Sequence, residues 1–68
     1  MKLLDMVALL EDLPEYQLQR GQVGTIVELL DDNVYEIEFS DDDGKTYAML
    51  PLHADQLMTL HYEPVKAA

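Results

Sequence analysis

Glycine and proline punctuate this chain at Pro14, Gly21, Gly24, Gly44, Pro51 and Pro64. The apolar stretches between them are too short for most helices but suit strands. The clearest element is Val34-Tyr35-Glu36-Ile37-Glu38-Phe39, where Tyr35, Ile37 and Phe39 alternate with charged residues. That period of two is the mark of a strand with one dry and one wet face. Ser40 to Lys45 follows, and its Asp43-Gly44 pair signals a hairpin, because both central positions of the favoured two-residue turn need positive φ. Thr46-Tyr47-Ala48-Met49-Leu50 reads as the returning strand, which Pro51 ends or confines to an edge, since proline cannot donate to a ladder.

Upstream, Gln22 to Leu30 is rich in β-branched residues and reaches Val34 through Asp31-Asp32-Asn33, a polar connection suited to a second hairpin. Two sets claim its inward face, Val23/Thr25/Val27/Leu29 and Ile26/Leu30, and a bend at Gly24 is expected to switch the phase between them. By propensity, Leu3 to Leu13 is an amphipathic helix, with Leu3, Val7 and Leu10 on one face. Near the other end, His53 to Gln56 suits a single 3₁₀ turn before a closing strand over Leu57 to Tyr62.

At 68 residues the chain has material for one core, expected to contain Val23, Ile26, Tyr35, Ile37, Phe39 and Leu57. Residues 1–63 are assigned to this single domain and 64–68 to a frayed tail. The sequence has no cysteine, which removes disulfides, thiolate zinc sites and cysteine nucleophiles and suits a reducing cytoplasm. Met1-Lys2-Leu3-Leu4-Asp5 is broken by an acid too early for a secretory leader. No apolar run approaches the roughly 20 residues of a membrane span.

The charge is lopsided, with 14 acids against four lysines and arginines and a net charge of -10. Glu28, Asp31, Asp32, Glu36, Glu38, Asp41, Asp42 and Asp43 follow one another without a lysine or arginine between them. One region of the surface must therefore be strongly negative. Anionic lipid and nucleic acid are poor complements for it, because phosphate binding depends on lysine and arginine. A basic protein surface is the natural partner.

The segments Asp5-Met6-Val7-Ala8-Leu9-Leu10-Glu11-Asp12, Arg20 to Glu28, Tyr35 to Phe39 and Asp43-Gly44-Lys45-Thr46-Tyr47-Ala48 resemble a family of short bacterial proteins, domain of unknown function 4926. The resemblance covers nearly the whole chain. It implies an all-β fold, a small, strongly bent, five-stranded antiparallel SH3-like barrel, and brings no activity with it. It also implies a strand over Asp5 to Leu10 in place of the helix. The strand is preferred, since propensity is a weak guide and a barrel needs its first strand to pair with its last. Gly21 to Ile26 is similar to the glycine-containing turn of KOW-type barrels, some of which touch nucleic acid, but four scattered cations argue against direct nucleic-acid binding here.

Chemistry-bearing constellations are sparse. Asp41-Asp42-Asp43-Gly44 lacks the alternating ligands and distal glutamate of a calcium loop. His53 and His61, with Asp55 or Glu63, fall short of most zinc ligand sets. Ser40 is the sole serine and sits at a turn, so no nucleophilic triad is visible, and no cofactor, metal or catalytic residue is assigned. Tyr35 and Tyr47 read as packing or cross-strand residues. Partner binding is assigned to Glu28, Glu36, Glu38, Asp41, Asp42 and Asp43, with Tyr16 in the Pro14-to-Arg20 loop as an aromatic contact. The expected function is that of a small, acidic, non-catalytic protein-binding module, which the resemblance extends to an accessory or antitoxin-like companion of a neighbouring protein. The alternative is an acidic mimic of nucleic acid that blocks a basic groove.

Overall fold

The computed structural model describes residues 1–61. Five strands, β1 (Met6–Leu9), β2 (Val23–Asp31), β3 (Val34–Ser40), β4 (Thr46–His53) and β5 (Leu57–Thr59), are joined with two 3₁₀ turns, Pro14–Tyr16 and Ala54–Gln56. All pairings are antiparallel and the sheet order is β4-β3-β2-β1-β5. The all-β, five-stranded antiparallel architecture is as expected, and the first segment is a strand that pairs with the last. Closure into a strongly bent barrel is not formed: among the described residues β4 and β5 are the two edges of one open sheet. β1 has four residues and β5 three, and among the described residues no pairing joins β5 to β4, the pairing that closure requires. No helix among the described residues is long and apolar enough to cross a membrane. The proposed tail at 64–68, and Tyr62 of the proposed closing strand, lie outside the described residues.

The inner face carries the core. Val7 and Leu9 of β1, Ile26 of β2, Ile37 and Phe39 of β3, Leu50 and Leu52 of β4 and Leu57 of β5 are buried together. Each side chain of this kind contributes roughly 1.5–3 kcal/mol by leaving water. Leu13 and Leu18, bridged to each other through 2.9 and 3.1 Å backbone hydrogen bonds, fold the β1–β2 connection under the same core. Tyr35 packs against it half-buried.

Two expectations for β2 are corrected. Val23 is exposed, because the inward positions are Gly24 and Ile26, the latter directly opposite Ile37. The change of phase is not at Gly24. Ile26 pairs with Ile37 and Glu28 with Glu36, so Val27 is the extra residue of a bulge, and a second irregularity at Leu30 separates Leu29–Tyr35 from Asp31–Val34. Gly24 serves a different purpose: a Cβ there would stand 2.7 Å from Ile37 Cγ2, so glycine lets β3 approach. Pro51 lies within β4 rather than at its end, which is tolerated because β4 is an edge strand.

Candidate functional site

Pairing places the assigned carboxylates. Because Ile37 and Phe39 point into the core, Glu36 and Glu38 project from the outer face, and the bulge at Val27 turns Glu28 outward to lie opposite Glu36. Without that extra residue, Glu28 would share the inward phase of Ile26. Glu36 and Glu38 are half-buried and Glu28 is exposed. Glu38 Oε2 accepts a 2.7 Å hydrogen bond from the Thr46 hydroxyl. Glu36 Oε1 is shielded from solvent and accepts no hydrogen bond from the described residues. Two like charges opposite one another across strands are destabilising, and an unpartnered carboxylate oxygen adds to that cost. None of the lysines or arginines among the described residues lies on a strand.

The outer face is not uniformly acidic. One cross-strand row places Met58, Ala8 and Val23 side by side on β5, β1 and β2. The next carries Met6, Thr25, Glu38 and Met49 from β1 to β4, and the third Glu28, Glu36 and Pro51. The carboxylates of this face are therefore confined to β2 and β3, with apolar residues on β5 and β1 to one side and Met49 and Pro51 of β4 to the other.

The β3–β4 turn holds the other assigned acids, and its geometry departs from the two-residue turn expected. Positive φ occurs at Gly44 (81°) but not at Asp43. A four-residue turn closes through Gly44 N–H donating to Asp41 C=O at 3.0 Å. Asp41 Oδ1 accepts from the backbone N–H groups of Asp43 and Lys45, both at 2.9 Å, so this carboxylate builds the turn. Asp42 and Asp43 are exposed and carry the tip charge.

Tyr16 is 52% exposed on the first 3₁₀ turn. Since β2 starts where β3 ends, the loop bearing it shares one end of the sheet with the Asp41–Gly44 tip, whereas Asp31 and Asp32 lie at the opposite end. The structure thus joins Glu28, Glu36 and Glu38 on one face and leaves Asp41 to Asp43 and Tyr16 outside that group. Tyr47 is 49% exposed and makes the cross-strand contact expected of it, its ring 6.4 Å from that of Phe39 and its hydroxyl accepting a 3.1 Å bond from Gln22.

Two open grooves flank the sheet. One of about 550 Å³ is lined by Met1, Leu29, Leu30, Asp31, Asp32, Asn33 and Tyr35, and one of about 530 Å³ by residues of the 12–22 connection. Among the described residues no group of three or more histidines and carboxylates is placed to hold a metal. Of the apolar outer-face positions, Val23 is assigned to the core by sequence and Met49 and Met58 are given no surface role. Their only signal was alternation with the buried Leu50 and Leu57 and with the inward Gly24. A family described as "Domain of unknown function (DUF4926)" matches residues 3–59. No curated protein and no solved structure matches.

Proposed function

The chain belongs to the domain of unknown function 4926 family, a membership that assigns no activity, and we propose from its surface that it is a non-catalytic cytoplasmic module that binds a protein with a basic surface. The observation that carries this reading is the apposition of Glu28 and Glu36, with Glu36 Oε1 shielded and without a partner among the described residues. Folding alone gains nothing from like charges in register, whereas an incoming lysine or arginine at the exposed Glu28 would relieve the repulsion. Glu38 and the tip residues Asp42 and Asp43 extend the negative field that would steer such a partner. A nucleic-acid mimic needs carboxylates in continuous phosphate-like rows. Here acids sit on the outer face and at both hairpin ends, which supports the protein-binding reading instead.

The test is surface plasmon resonance over an immobilised lysine-rich peptide, comparing wild type with E28Q/E36Q/E38Q and with D41N/D42N/D43N. Association should slow as salt rises, since long-range attraction is screened over about 8 Å at physiological ionic strength. The face variant should associate several-fold more slowly at low salt, and the tip variant should show a smaller decrease. Unchanged association for both would make the carboxylates ordinary solvated surface.

A further inference from the structure

Resting on that reading, we infer that the outer sheet face is a docking site for a cationic amphipathic helix of the partner, laid across the strands. A basic surface alone would need only charge, but this face offers more. Val23 is 41% exposed, and Met49 and Met58 are each 50% exposed. Unlike the inner face, whose side chains bury one another, this side leaves large apolar groups in water, and exposed apolar surface rimmed by charge marks interaction sites.

The polarity split specifies the occupant. Met58, Ala8 and Val23 form an unbroken apolar row whose middle member is small and 6% exposed. That row is a shallow trough with a flexible methionine on one side. Methionine adapts to varied apolar partners because its thioether chain is unbranched and polarisable. In the next two cross-strand rows Glu38, and then Glu28 and Glu36, face the same side. A segment seated here must therefore present apolar side chains along one stripe and cations along its neighbour, the pattern of a basic amphipathic helix read at i, i+3, i+4 and i+7. Dimensions agree: five strands span four gaps, about 19 Å at the usual strand spacing, which a helix crosses in about 13 residues at 1.5 Å each. A second copy of this chain would bring its own net charge of -10 against these carboxylates, so self-association through this face is disfavoured.

The experiment is an NMR titration of the ¹⁵N-labelled domain with a leucine–lysine peptide of about 14 residues patterned to be amphipathic as a helix. The control is a peptide of the same composition with that pattern scrambled. Shifts should concentrate at Ala8, Val23, Met58 and Glu38, with the scrambled peptide at least about tenfold weaker. V23S/M58S should lose about tenfold for the patterned peptide and little for the scrambled one. M58Q alone provides the same comparison should the double variant melt early. Equal affinity for the two peptides, unchanged binding by the apolar variants, or shifts confined to the Asp41–Gly44 tip or the Leu29–Tyr35 groove would overturn the helix site while leaving acidic recognition standing. Failure of both cationic peptides to bind at low salt would overturn the protein-binding reading itself.

Discussion

Replacing Gly24 with alanine should destabilise the domain, although the same change in most strands does the opposite. Gly24 has no positive φ to protect, so alanine is free to adopt its backbone conformation. Restricting the unfolded chain alone would then stabilise by about 0.4–1 kcal/mol. Against this, the added Cβ would stand 2.7 Å from Ile37 Cγ2, 2.9 Å from the Glu38 carbonyl oxygen and 3.0 Å from Phe39 Cδ1. Optimal carbon separations are about 3.5–4.0 Å. Two of these neighbours are fully buried and the third is backbone, so none can swing aside. Overpacking of this kind costs about 1–3 kcal/mol, which leaves a net loss of about 1–2 kcal/mol, or roughly 5–15 °C in Tm for a domain this small. Thermal melts followed by far-ultraviolet dichroism measure it. Leucine at position 37 lacks the Cγ2 branch, so Gly24→Ala should cost less in an Ile37→Leu background, a coupling readable by double-mutant cycle. A Gly24→Ala protein that melts at or above the wild-type temperature would refute the argument.

Phe39→Ala removes the largest fully buried side chain and should cost about 3–5 kcal/mol, enough to leave the domain largely unfolded at 37 °C; urea denaturation reads the loss. Asp41→Ala deprives two backbone N–H groups of their acceptor and should lower Tm, whereas Asp41→Asn, which keeps an acceptor oxygen, should leave it nearly unchanged. Glu28→Gln should raise stability by a few tenths of a kcal/mol by relieving its repulsion with Glu36, and the gain should shrink in high salt; equal melting of the two proteins at low salt would mean that the pair does not interact.

The hairpins and the inward residues of β3 were legible because alternation and turn chemistry are local. Tyr35, Ile37 and Phe39 announce a face within six residues, and Asp43-Gly44 announces the reversal even though Asp41 does more of its hydrogen bonding. β1 was not legible from its own residues. Leu, Met and Ala favour helix, and only pairing with Thr25 on one side and Leu57 on the other holds Met6–Leu9 extended. The phase of β2 escaped for a related reason: a bulge is a property of two strands, and nothing at Val27 distinguishes an extra residue from an ordinary one. Glu36 and Glu38 could be placed outward from sequence, but the position of Glu28 opposite Glu36 depends on that bulge and so could not.

The bulge links folding to the proposed recognition. With regular pairing past Ile26, Glu28 would turn toward the apolar side and Val27 outward, and a carboxylate would have to be desolvated beside Ile37. The extra residue avoids this burial and gives instead the lesser cost of two carboxylates sharing the wet face. That residual cost is borne on the outer face, one cross-strand row from Met6 and Thr25 and two from the Val23–Ala8–Met58 row. Stability here resides on the inner face, in Phe39, Ile37, Ile26 and the leucines packed on them, so the outer face is free to hold an arrangement that is poor for an isolated sheet. On the proposed function the carboxylates and methionines of that face can therefore change with the partner, while changes at Gly24, Ile37 and Phe39 cost stability.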